Sequence, residues 1–89
     1  MRAIVSVIGK DRVGIIAYVC ALLAQNGINI LDISQTVMQE FFTMVMLVDM
    51  TGCALPFNEL SKILKNSGEE QSLTIRIQRE DIFEAMHRI

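Results

Sequence analysis

The run Gly9-Lys10-Asp11-Arg12-Val13-Gly14-Ile15-Ile16 carries the residues best suited to chemistry in this chain. It joins an alternating apolar stretch to a helical pattern through a short polar turn with a glycine at each end. A strand that enters a helix this way leaves the helix's first amides unpaired and aimed outward. Those amides and the helix dipole suit a small anion such as a carboxylate. Asp11 also fits the helix N-cap, where its side chain would take the amides of Val13 or Gly14 and leave no vacancy. Both readings stand at this level.

Other chemistries lack parts. The single histidine, His87, falls near the chain's end and reads as a solvent-facing residue at a helix C-terminus. Ser6 and Ser34 have no histidine or lysine partner at a useful spacing. Cys20 and Cys53 stand apart, without CxxC spacing or a neighbouring histidine, and read as reduced thiols rather than a metal or redox site. A phosphate-cradling hydrolase would use a first-loop arginine, which Arg12 supplies, and a third-strand asparagine, which residues 42–50 lack. No catalytic residue, metal or cofactor is expected.

The elements that must position the turn follow from periodicity. Arg2 to Ile8 alternates, with Ala3, Val5 and Val7 on one face and Ile4 and Ile8 on the other, which suits a central strand. From Val13 to Gln25, Ile16, Val19, Cys20 and Leu23 recur at helical spacing, and Asn26-Gly27 supplies the stop. Ile28 to Gln39 reads as a second strand whose dispersed polar residues suit an edge. A hairpin near Gln39-Glu40 leads to a third strand, Phe41 to Met50, apolar on both faces and therefore central.

Pro56 sits where a first helical residue would, Phe57, Leu60, Ile63 and Leu64 form a buried stripe, and Gly68 reads as the stop. Ser72 to Arg79 alternates with Leu73, Ile75 and Ile77 inward, as an edge strand with one wet face does. Ile82, Phe83, Met86 and Ile89 mark a terminal amphipathic helix over about 80–88. The order βαββαβ, with right-handed crossovers, predicts an α+β ferredoxin-like two-layer sandwich of antiparallel sheet order 4-1-3-2. Residues 1–89 are expected to form a single domain with its core at about 3–79. Met38, Met44, Met46 and Met50 fall on strands two and three, either as adaptable core filler or as a soft association surface.

Composition narrows the partners. Hydrophobic residues make up 52% of 89, more than so short a chain easily hides, which points to a homodimer. A net charge of −2 and a pI near 5.2 argue against nucleic acid. The apolar runs are shorter than the roughly 20 residues of a membrane helix and no signal peptide leads the chain, so a cytoplasmic protein without a membrane partner is expected.

The segment GKDRVGIIAYVCALLAQNGINILDISQTV, with Phe41-Phe42-Thr43-Met44 and Ile82-Phe83-Glu84-Ala85-Met86, resembles the ACT domain, a small-molecule-binding regulatory module of amino-acid metabolism. In this form the chain is similar to short standalone bacterial and archaeal ACT proteins related to the regulator of the glycine cleavage system. The resemblance implies a non-catalytic regulator that senses an amino acid at the interface of two copies. It carries the ligand contacts onto Lys10, Asp11, Arg12, Val13, Gly14 and Ile15, and onto Asn29, Ile30 and Leu31 of the second strand, with Asp32 beside them. Within that mapping the amides of Gly14 and Ile15 would receive a carboxylate, Asn29 would accept from an ammonium and Asp32 would offer a charge. The alternative is a ligand-free adaptor whose apolar surface docks a regulated metabolic enzyme or transcription factor. In that reading the first loop, Asn29 and Asp32 are ordinary turn and edge residues.

Overall fold

The computed structural model describes residues 1–80. The element order is β1 (Arg2–Lys10), α1 (Ile15–Gln25), β2 (Asn29–Met38), β3 (Phe41–Asp49), α2 (Phe57–Glu70) and β4 (Leu73–Arg79). The sheet order is β2-β3-β1-β4, antiparallel at every pairing, as the polarity of the strands predicts. The two strands apolar on both faces occupy the centre. The expected terminal helix lies, apart from Glu80, outside the described residues, together with His87.

Both helices cover one face of the sheet. Ala3, Val5 and Val7 of β1 pair in register with Val48, Met46 and Met44 of β3, and all six are buried. Leu73, Ile75 and Ile77 continue this layer onto β4. Ile15, Val19 and Leu23 of α1 and Leu60 and Leu64 of α2 close it from above. Burial of this kind stabilises by roughly 1.5–3 kcal/mol per large aliphatic side chain, the dominant favourable contribution to folding. Met44, Met46 and Met50 belong to this core, whereas Met38 is 70% exposed on the edge strand β2.

Three local expectations are corrected. α1 begins at Ile15 rather than Val13, and its inward stripe is Ile15-Val19-Leu23, which rotates Ile16 to the exposed side. Pro56 is the N-cap of α2, extended at φ −60° and ψ 151°, one residue before the helix proper. Gly68 does not end α2, which continues to Glu70. It is buried where the helix crosses β4, and a Cβ there would sit 2.9 Å from both the Leu73 carbonyl oxygen and Ile75 Cγ1. That glycine is small to let helix and strand approach, not to break the helix.

Gly68→Ala therefore sets helix propensity against packing. Propensity favours alanine by about 1 kcal/mol, while crowding the Leu73 backbone costs roughly 1–3 kcal/mol. We expect a net loss of stability in urea unfolding; a variant more stable than the parent contradicts the close approach.

Candidate functional site

The β1–α1 turn is built by two backbone contacts. The Asp11 amide donates to the Glu40 carbonyl at 2.8 Å, which carries the β1–β3 pairing past Lys10 and ties the turn to the β2–β3 hairpin. Gly14 then takes a left-handed conformation, φ 93° and ψ −2°, and serves as the N-cap of α1. A side chain at this φ is strained by about 1–2 kcal/mol, although a Cβ there would meet nothing within 4 Å.

Asp11 is not the cap: no side chain caps α1. The hairpin contact holds Asp11 in the extended stretch, three residues before the helix-starting glycine. The first intrahelical bond is donated by the Tyr18 amide to the Gly14 carbonyl at 2.9 Å. The amides of Ile15, Ile16 and Ala17 thus precede the ladder and stay uncapped, the arrangement that favours an anion.

These amides open on a depression of about 450 Å³ rimmed by Asp11, Arg12, Gly14, Ile16 and Cys20, with Phe42 beneath. Arg12 lies at its edge and donates through Nη2 to Gln71 Oε1 at 3.1 Å, bridging to the end of α2. Tyr18 fastens the same end of the molecule, its hydroxyl donating to the Ser67 carbonyl at 3.1 Å. Of the expected first-loop residues, Asp11, Arg12, Gly14 and Ile15 line the depression. Lys10 alternates onto the opposite face of the sheet with Ile8, and Val13 projects fully into solvent at the tip of the turn. Ile16, Ala17, Cys20 and Phe42 line it too, beyond the residues to which the sequence points. The usable signal was phase: a helix turning on Ile15-Val19-Leu23 puts Ile16 and Cys20 on its flank.

Asn29, Ile30, Leu31 and Asp32 lie elsewhere. Asn29 pairs with Asp49, which also pairs with Arg2, whereas Lys10 pairs with Phe41. From residue 41 to residue 49 of β3 is eight steps, roughly 26 Å of strand. Within one chain the two groups of expected site residues therefore sit at opposite ends of the sheet. A β-bulge lies between Ile30 and Asp32, and the Asp32 carboxylate accepts its own neighbour's amide, Ile33, at 2.9 Å. Asp49, paired with Asn29, accepts the hydroxyl of Thr51 at 2.6 Å and its amide at 2.9 Å, with the Met1 ammonium 3.7 Å away.

Comparison with known proteins decides the family. The model of the ACT domain matches residues 2–78. The chain belongs to the ACT-domain family. It is 51% identical over 88 residues to a UPF0237 protein of the archaeon Methanocaldococcus jannaschii, covering 99% of this chain and 98% of that one. A UPF0237 protein of Clostridium acetobutylicum is also 51% identical, over the full length of both. Among solved structures, an ACT domain protein from Streptococcus pneumoniae superposes with a TM-score of 0.84 at 42% identity, covering 98% of each chain. A protein described as a putative glycine cleavage system transcriptional repressor follows at TM-score 0.72 and 25% identity, over 86% of this chain and 44% of that one. A formyltetrahydrofolate deformylase from Pseudomonas syringae, at TM-score 0.78, shares the fold over only 27% of its own chain. No helix among the described residues is long and apolar enough to cross a membrane.

The Asp49 corner makes a pH prediction. The Thr51 hydroxyl above all, then the Thr51 amide and the Met1 ammonium, hold the Asp49 carboxyl below its ordinary 3.8. A depressed native value means the stabilisation is complete above the unfolded value and drains as pH falls through the lowered one. The stability gap between wild type and Asp49→Asn should narrow as urea midpoints are followed from about pH 5 to pH 2. A gap independent of pH contradicts the assignment.

Proposed function

We propose that the protein is a non-catalytic regulatory module that binds a small carboxylate, an amino acid, between two copies of the chain. The observation that carries this reading is the uncapped start of α1 over its depression. The ammonium and side chain of an amino acid need further partners, and the Asn29–Asp32 group offers them from a different chain. β2 is an edge strand, and every one of its residues from Leu31 to Met38 is exposed. Two β2 strands paired antiparallel across a two-fold axis would set the beginning of one against the end of the other. Asn29–Asp32 of each copy would then approach the first loop of its partner, and the dimer would hold two equivalent composite sites. The exposed Leu31, Ile33 and Val37 of β2 supply apolar area for that seam.

A regulatory rather than catalytic role is supported by the family, since the deformylase shares only this module with the chain. Coupling of about 1–3 kcal/mol between ligand and partner binding would suffice to control a target. The alternative, an adaptor that docks an enzyme or transcription factor with an empty first loop, draws on the same exposed apolar residues.

With so few atoms, an amino acid should bind at roughly micromolar to millimolar Kd. In thermal-shift measurements across the twenty amino acids at 10 mM, at least one should raise Tm. A hundredfold excess over Kd contributes about 2.7 kcal/mol, a shift on the order of 10 °C for so small a domain. Ile16→Glu places a carboxylate at the exposed first turn, where it suits the helix but competes for the amides, so it should fold normally and lose the shift. No response to any amino acid, or an unchanged response in Ile16→Glu, overturns the proposal.

A further inference from the structure

The second edge of the sheet is open in a way the first is not. β4 pairs with β1 alone, in a register without shifts from Ala3 opposite Arg79 to Gly9 opposite Leu73. Among the described residues no other backbone hydrogen bond reaches residues 73–78, so the amides and carbonyls on the outer side of β4 have no partner there. The usual defences of an edge include a proline, a bulge or extreme shortness. This seven-residue strand, LTIRIQR, has none of them. β2, by contrast, carries a bulge between Ile30 and Asp32.

Beside that edge runs a groove. Ser61, Lys65 and Glu69 recur every four residues along α2 and line one wall of a depression of about 350 Å³ that β4 borders from Leu73 to Gln78. Gly68 sets its width, since the missing side chain lets α2 lie against Leu73 and Ile75. α2 enters β4 through Gln71 and Ser72, so helix and strand run in opposite directions. Lys65, three residues before Gly68, stands about 4.5 Å further along the helix, level with the middle of β4. Arg76 stands there on the strand. It borders the groove and also a depression on the open face, the face away from the helices, with Ser6 and Ile8. Both cations are exposed, and among the described residues neither is in an ion pair.

We propose that the free edge of β4 docks an extended acidic segment of a partner protein as a fifth strand. Main-chain hydrogen bonds to β4 hold it, and its successive side chains alternate between the α2 side and the open face. Two consecutive carboxylates at its centre then meet Lys65 on one face and Arg76 on the other. Glu69, at the Leu73 end of the groove, confines the acidic pair to the centre. A second copy is the poorer occupant. Pairing β4 with itself over its full length, about a two-fold axis, centres on residue 76 and sets Arg76 against Arg76, a like-charge pair directly opposite. The two cations thus repel the chain's own edge while admitting an acidic one. The inference needs neither the first-loop depression nor the β2 seam.

Full-length protein labelled with nitrogen-15 tests this by titration with peptides blocked at both ends. The probes are TVEEVT, TVKKVT, and TVEEVT with every internal amide N-methylated, which keeps the charges and removes the donors. TVEEVT should shift the amide signals of residues 73–78 in a saturable way. Its Kd should weaken about tenfold in Arg76→Glu, where an attraction becomes a repulsion. Lys65→Glu should act alike, and either exposed substitution suffices for the test. TVKKVT should bind the natural chain more weakly than TVEEVT and regain affinity for Arg76→Glu. No saturable shift at 73–78, equal binding of the acidic and basic peptides, or equal binding of the N-methylated peptide overturns the proposal. So does protection of the β4 amides that grows with protein concentration alone, which would give the edge to a second copy.

Discussion

The register of β1 against β3 is the constraint on which the rest of this molecule depends. It runs unbroken from Arg2 opposite Asp49 to Lys10 opposite Phe41. In that register the buried residues of the two strands stand side by side, so that two amphipathic helices can seal a single layer over them. A slip of β1 by one residue would turn Val5 and Val7 to the open face and present Ile4 and Ile8 to the helices instead. The same register fixes where the two groups of proposed site residues sit. The β1–α1 turn emerges at one end of the sheet, β2 begins at the other, and no local rearrangement brings them together.

The turn itself is shaped by what it withholds. A helix start is usually satisfied by a serine, threonine, aspartate or asparagine. Here the nearest such residue, Asp11, is held in the sheet's extension by the Glu40 carbonyl, and the capping position falls to a left-handed glycine with no side chain. Glycine in place of a capping side chain costs a helix only a few tenths of a kcal/mol, which the burial of Ile15, Val19 and Leu23 readily offsets. The outcome is a helix whose first three amides carry no side-chain cap, in residues that line an open depression.

Much of this was legible in the sequence because alternation reports burial directly. The two strands without a polar face were expected to be central and the two with one to be edges, as the sheet order has them, while the hairpin near Gln39-Glu40 carries little turn chemistry of its own. The misreadings concern residues whose role is set by a distant neighbour. Gly68 looks like a helix stop until β4 is seen to pass beneath it. Asp11 looks like a cap until the hairpin claims its backbone. Ile16 looks like core because helical periodicity alone does not fix the phase of so apolar a helix. The separation of the first loop from Asn29–Asp32 follows from strand direction once the topology is accepted, and it changes the meaning of those residues: a ligand touching both must touch two chains.

That last point is the most exposed to test. In the proposed dimer, Ile16→Glu alters both first loops and Asn29→Ala alters both β2 groups. If the protein pairs as proposed, mixing the two variants with subunit exchange would make half of the dimers mixed, and each mixed dimer would regain one unaltered site. Calorimetric titration of the mixture with the amino acid that stabilises the wild type should recover about a quarter of the wild-type capacity at wild-type affinity, as a two-fold shared site requires. A mixture that binds no better than the separate variants would contradict a site shared between chains.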